Sequence, residues 1–223
     1  MKVESTVVAF DFRGHGENFC EDESNLNVDT LIDDTINVFK QICQKFRDQS
    51  IILVGHSMGG SIATKTAAKI LKDHAHDDIH KQLQGLIVID VVEGSAMDAL
   101  PFMENIVMSR PSEFKSLASV VQYGIKSGQV KDHESAKVSM PDQVIPKVDE
   151  ATGITKYVWR TDLMATKPYW ESWFTGLTDC FLNVRLPKQL LLAGSDRMDK
   201  DLTIAQMQGK FKMVVVENVG HAI

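Results

Sequence analysis

The stretch that decides the fold is IILVGHSMGGSIATKTAAKIL, residues 51–71. Ile51 to Val54 form a short apolar run of strand type, which passes into Gly55-His56-Ser57-Met58-Gly59-Gly60. Beyond it Ile62, Ala63, Thr66, Ala67, Ile70 and Leu71 fall on one helical face, with Lys65, Lys69 and Lys72 on the other. A buried strand, a glycine-rich turn and a helix are the setting in which G-x-S-x-G raises a serine hydroxyl above a sheet. A chain turning that sharply crowds its neighbours, so the glycines read as places where a Cβ would clash. The start of the helix aims N–H groups at the same point, and the Met58 N–H is the expected donor to a developing oxyanion. A serine in a chance tight turn, or one that only capped a helix, would need no partner. A nucleophile needs a base, and the base needs an acid to orient it.

In a chain of this pattern the order is serine, acid, histidine, so the base should follow a late strand. Of seven histidines, His221 meets that condition, in MVVVENVGHAI. His56 neighbours the nucleophile and is expected to point elsewhere and support the turn. His15, in RGHG, reads as structural. His74, His76 and His80 in DHAHDDIH lie in a charged helix-end loop and read as solvated rather than as a metal site. Two carboxylates compete for the acid. Asp196 follows the strand around Gln189–Ala193, the common position and the one spacing favours; Asp90 ends the strand beside that of the nucleophile and also reaches the histidine.

Outward from Ser57, Val7–Phe12 reads as a strand ended by the turn Arg13–Gly16, and Val28, Ile32, Ile36, Phe39, Cys43 and Phe46 mark an amphipathic helix. Leu86–Val92, Gln189–Ala193 and Met213–Glu217 complete the predicted strands. Strands alternating with helices, without hairpin turns, imply parallel βαβ units and a doubly wound α/β sheet. Residues 93–185 break the rhythm. They are helical in pattern, contain Trp159, Trp170 and Trp173, and include a polar stretch, Pro141–Lys156, that reads as a long loop. The expected division is a hydrolase core, 1–92 and 186–223, with a helical lid, 93–185, inserted between two strands.

The 223 residues are enough for one sizeable core. Net charge is −6 and the 24 basic residues are spread along the chain, which argues against nucleic acid or an anionic membrane as partner. No apolar run approaches the length of a membrane span and no signal peptide is apparent. Three scattered cysteines suggest free thiols in a reducing compartment, cytosol or nucleus.

Longer motifs are more specific than G-x-S-x-G. GHSMGG, IDVVEGSAMDAL, YWESWFTGL, LLLAGSDRMDKDLTIAQMQGKF and GHA closely resemble the protein phosphatase methylesterases, and the likeness runs from VVAFDFRGHGE to the last residues. These α/β-hydrolases remove the methyl ester from the C-terminal leucine of the protein phosphatase 2A catalytic subunit. The resemblance implies a triad of Ser57, Asp90 and His221, with Asp196 left as a structural residue of its loop. It implies acyl transfer on the methylated phosphatase tail, with no metal or organic cofactor required, and a lid that shapes a groove for that tail. The tryptophans, as buried aromatics, read first as core.

A full hydrolase of this kind has further strands before the nucleophile strand, one leading into a His-Gly-Gly-Gly loop that supplies a second oxyanion donor. No such loop is found here, and a helix usually follows the catalytic histidine. On this reading Val7–Phe12 is the fourth strand of a full sheet, and the third, which would lie between it and the nucleophile strand, is missing. Loss of one oxyanion donor typically costs about a hundred- to a thousandfold in rate. The expectation is an incomplete sheet, from part of an active enzyme. The alternatives are a short, catalytically impaired form that binds the phosphatase, and a small-molecule ester hydrolase.

Overall fold

Asn27 opens the first long helix by accepting the Asp29 N–H in its side chain, and from there the apolar period of 3.6 carries the chain to Lys45. The computed structural model describes residues 4–73, 77–194, 198–217 and 219–221, with 77 and 78 as backbone alone. In chain order it contains α1 (Val28–Lys45), β1 (Ile51–His56), α2 (Met58–Lys72), α3 (Asp77–His80) and β2 (Leu83–Ile89). There follow α4 (Glu93–Met108), α5 (Leu117–Lys126), α6 (His133–Ser139), β3 (Val144–Val148) and β4 (Thr155–Trp159). The chain continues through α7 (Trp170–Phe174), α8 (Leu177–Asn183), β5 (Lys188–Leu192), α9 (Lys200–Met207) and β6 (Lys212–Val215).

The main sheet runs β1-β2-β5-β6, every pair parallel, with Gly55 beside Val88 and His56 beside Ile89. Parallel neighbours place the C-terminal ends of β1, β2, β5 and β6 along one edge, where ligands of open α/β sheets bind. Helices pack around the sheet. α2 is the central one, lying on β1 and β2 and against α1 and α8. Its buried face is the one the spacing predicts, with Ile62, Ala67 and Ile70 sealed from solvent. No helix among the described residues is long and apolar enough to cross a membrane.

Two expectations need correction. Val7–Phe12 is not a strand. Val7 is 88% exposed and Phe10 42%. β-branched and aromatic residues favour a strand only where a neighbouring strand completes the ladder. Among the described residues β1 forms one edge of the sheet, with Ile52 and Val54 more than half exposed, and the 7–12 segment belongs to no sheet.

Pro141–Lys156 is not a long loop either. It folds into a 3-10 turn and then an antiparallel hairpin, with Val144 opposite Trp159 and Val148 opposite Thr155. The polar DEATG segment is the hairpin turn: Asp149 Oδ1 accepts the N–H groups of Ala151 and Thr152, and Gly153 takes a positive φ of 68°. Pro146, opposite Tyr157, is tolerated because Tyr157 directs both its N–H and its carbonyl to Phe114 instead.

The block 93–185 is divided in its packing. Trp170, Trp173, Phe174, Leu177 and Phe181 belong to the main core around α2. Phe114, Val120, Val130, Ala136, Met140 and Val144 form a second cluster, edged by Tyr123, Tyr157 and Trp159. Trp173 donates its indole N–H to the Leu26 carbonyl at 2.7 Å and Trp170 donates to Thr166 Oγ1 at 2.9 Å, so these two tryptophans are core residues.

Candidate active site

Ser57 stands between β1 and α2 with φ 53° and ψ −125°. A residue with a Cβ pays about 1–3 kcal/mol to hold such a conformation, so close packing must enforce it. Gly55 and Gly60 make that packing possible. A Cβ on Gly55 would stand 2.2 Å from the Gly59 carbonyl oxygen, and one on Gly60 would meet Val91 Cγ1 at 2.9 Å. Gly59 differs from expectation: a Cβ there would meet only Phe12, at 3.9 Å. The crowding falls on the first glycine of G-x-S-x-G and on the one just after the motif. The helix does not use the serine side chain as a cap.

The hydroxyl is instead turned to His221. Ser57 Oγ lies 2.9 Å from His221 Nε2, and His221 Nδ1 lies 2.7 Å from Asp90 Oδ2. A carboxylate only accepts, so Nδ1 carries the ring proton and the Nε2 lone pair faces the serine hydroxyl. Asp90 has the same uncommon backbone sign as Ser57, with φ 49°, which Asp adopts more readily than most residues. Its side chain is fully buried while that of His221 is 47% exposed. Asp90 Oδ1 accepts the Ala193 N–H at 2.8 Å, so a backbone donor past β5 holds the second oxygen. The Ser57, Asp90 and His221 singled out from sequence thus form one hydrogen-bonded line. Asp196, His74 and His76 lie outside the described residues.

Met58 is the first residue of α2, where a helix leaves its N–H groups without intrahelical acceptors. His15 is local: Nδ1 donates to the Arg13 carbonyl at 2.9 Å. His56 was expected to support the turn. It reaches further, since Nε2 donates to the main-chain carbonyl of His221 at 2.7 Å and the two rings lie 4.7 Å apart. Desolvation pushes the His56 imidazole below the usual histidine range, against the carbonyl bond that favours its protonated form.

Two arginines that sequence reading passed over tie down the segment before α1. Arg13 makes a two-pronged contact with Asp34 on α1, Nε at 2.7 Å and Nη2 at 2.9 Å. Arg160, just after β4, donates to the Gly16 and Asn18 carbonyls and to both oxygens of Glu23. Together they tie segment 13–23 between α1 and the hairpin. A Cβ on Gly220 would stand 3.2 Å from the Gly128 carbonyl oxygen, so the loop after α5 lies close to the turn that carries His221. None of these arginine contacts has a period or motif in sequence that announces it.

A strained serine at a strand-to-helix turn, facing an imidazole oriented by a buried carboxylate, is suited to acyl transfer. Residues 3–223 match the alpha/beta hydrolase family, and the chain belongs to it. Among solved structures it is similar to E-2-(acetamidomethylene)succinate hydrolase, with a TM-score of 0.69 at 19% identity over 95% of this chain and 73% of that one. A Mycobacterium tuberculosis esterase gives a TM-score of 0.64 at 21% identity, over 95% of this chain and 68% of that one. Likeness at that level concerns the fold.

Sequence relatives are nearer. The probable protein phosphatase methylesterase 1 of Caenorhabditis elegans is 45% identical over 222 residues, 99% of this chain and 57% of that protein. Protein phosphatase methylesterase 1 of Mus musculus is 39% identical over 263 residues, 100% of this chain and 65% of the mouse protein. That of Schizosaccharomyces pombe is 39% identical over 97% of this chain and 60% of the yeast protein. The chain therefore spans less than two thirds of the length of each of these relatives.

Proposed function

We propose that this chain is a serine carboxylesterase acting on a protein methyl ester, the methylated C-terminal leucine of the protein phosphatase 2A catalytic subunit. The observation that carries the reading is the Ser57–His221–Asp90 hydrogen-bonded line at a strained elbow. The likeness to protein phosphatase methylesterase 1 over nearly the whole chain supports the substrate. The cysteines Cys20, Cys43 and Cys180 are all free, in keeping with work in the cytosol or nucleus.

In the reaction, His221 Nε2 takes the proton of Ser57 Oγ as the oxygen attacks the ester carbonyl. The oxyanion is held by the Met58 N–H, and Asp90 stabilises the imidazolium that forms. His221 returns the proton to the departing methoxide, which leaves as methanol. Water, deprotonated by the same imidazole, then attacks the acyl-serine and releases the free carboxylate. In this reading residues 93–185 cover the site, and the loop after α5, close to Gly220, lines the approach of the tail.

Intact-mass detection of a fluorophosphonate adduct tests the reading, with Ser57→Ala as control. One adduct that disappears in the variant, followed by methanol release from a methylated phosphatase tail, is the expected result. A soluble, folded chain that takes no adduct overturns it and favours a protein that binds the phosphatase without catalysis. An adduct with turnover of simple esters alone favours a small-molecule hydrolase.

A further inference from the structure

We infer that His56 is a positioning residue for His221, holding the main chain of the base in place through a hydrogen bond to its carbonyl. The inference deepens the esterase reading and rests on it. Side chains alternate across a strand, and the residue before a nucleophile would ordinarily face away from the site. Here the turn at Ser57 brings His56 Nε2 to 2.7 Å from the His221 carbonyl oxygen. A carbonyl accepts, so His56 carries its proton on Nε2.

The clamp matters because, among the described residues, few other contacts hold the main chain around His221. Backbone pairing of β6 with β5 closes with the Val216 N–H on the Leu192 carbonyl. From Val219 to His221, the His56 bond is the one hydrogen bond to the main chain among the described residues. Gly220 adds only its nearness to the loop after α5, where a Cβ on it would stand 3.2 Å from the Gly128 carbonyl oxygen. The imidazole must stay within reach of both Ser57 Oγ and Asp90 Oδ2, and a drift of about 1 Å in such a site costs about a hundredfold in rate. His56 thus links the nucleophile and base directly: it is bonded through the chain to Ser57 and through its ring to His221. Its lowered proton affinity fits the role, since a neutral His56 puts no second cation beside the imidazolium formed on His221.

The test uses three variants of the whole chain, assayed by fluorophosphonate labelling rate and by steady-state ester hydrolysis. His56→Leu keeps bulk and removes the donor. His56→Gln keeps an amide N–H at a similar reach, and His56→Asn has one that stops short. The expected result is a fall in kcat and labelling rate of about 10- to 100-fold in His56→Leu and His56→Asn, with KM unchanged, and recovery of most of the rate in His56→Gln. If His56→Leu does not fold, the comparison of Asn with Gln decides the matter. Equal rates in Asn and Gln, whether both at the wild-type level or both reduced, overturn the inference. A wild-type chain that takes no Ser57 adduct overturns the esterase reading and this inference together, whereas a labelled wild type with unaffected variants overturns only the latter.

Discussion

Asp90 Oδ2 meets His221 Nδ1 at 2.7 Å while its other oxygen takes the Ala193 N–H, so the group that orients the imidazole is itself fixed from behind β5. Both oxygens of a buried carboxylate are therefore engaged, and rotation about the side chain would break one bond or the other. Asp90→Asn preserves shape and tolerates the positive φ, but it presents one NH2 group. Facing Nδ1, that group would force the imidazole to carry its proton on Nε2, where it cannot accept from Ser57. The expected outcome is a loss of about 10⁴ in kcat with the fold retained, read by hydrolysis rate beside circular dichroism. A loss below tenfold would mean that Asp90 does not orient the base.

The two crowded glycines and the open one make a prediction about stability at the elbow. Gly55→Ala and Gly60→Ala place a Cβ within 3 Å of backbone or side-chain atoms that have no room to retreat. Each is expected to cost about 1–3 kcal/mol. Gly59→Ala meets only Phe12 at 3.9 Å and lies within the first turn of α2, where alanine is favoured over glycine by about 0.5–1 kcal/mol. Urea denaturation should therefore rank Gly59→Ala at or above wild type and the other two below it. A Gly59→Ala chain as unstable as Gly60→Ala would refute the assignment of the steric constraint.

Much of this was legible in sequence because it depends on short-range periods. The helices α1 and α2 show their apolar stripes, and the four parallel strands show as short apolar runs between helices. The nucleophile strand, read as buried, is however an edge strand among the described residues, with Ile52 and Val54 exposed. Ser57 and His221 are marked by motif and chain order. What failed depends on partners far away in the chain. Val7–Phe12 has strand composition, but composition cannot supply the neighbouring strand. The 144–159 hairpin hides behind Pro146 and a polar turn, and becomes readable only once Phe114 is seen to pair with Tyr157. Spacing left Asp90 and Asp196 both open for the acid; Asp90 stands on His221 Nδ1 and on the Ala193 N–H, contacts no local pattern announces, while Asp196 lies outside the described residues. The reach of His56 to a residue 165 positions away has no local signature at all.

Arg160 gives a third prediction. Its side chain is 8% exposed, its guanidinium serves Gly16, Asn18 and Glu23 at once, and it lies over the Phe19 ring at 4.4 Å. Arg160→Ala should release segment 14–23 from the hairpin, and Arg160→Lys should not restore it, because one ammonium cannot reproduce the planar fork. Hydrogen exchange is expected to quicken across 14–23 in both variants while α1 stays protected. Unchanged exchange in Arg160→Ala would show that the Arg13 contact with Asp34 and the Thr161 hydroxyl on the Gly14 carbonyl suffice to hold the loop.

The last prediction concerns pH and lies away from the site, at the start of β5. Lys188 Nζ is half-buried against the end of α8, donating to the Leu182 and Val184 carbonyls at 2.9 and 2.7 Å. Burial first, and Lys210 second, lower its pKa from the ordinary lysine value to about 8, with nearby Cys180 acting the other way. The sign follows from proton counts. Between about pH 8 and the ordinary lysine pKa of about 10.4, the unfolded chain keeps the Lys188 proton and the folded chain has lost it. Stability then rises with pH across that window, because the unfolded state binds more protons. Below pH 8 the folded protein carries the cost of the buried charge in full. Lys188→Met removes this dependence along with the two carbonyl bonds. Denaturation of both proteins at pH 7.5 and pH 10 should therefore show the wild type gaining on the variant as pH rises, whatever their order at pH 7.5. A difference between the two that stays constant, or shrinks, would mean that Lys188 is not held with a lowered pKa in the folded chain.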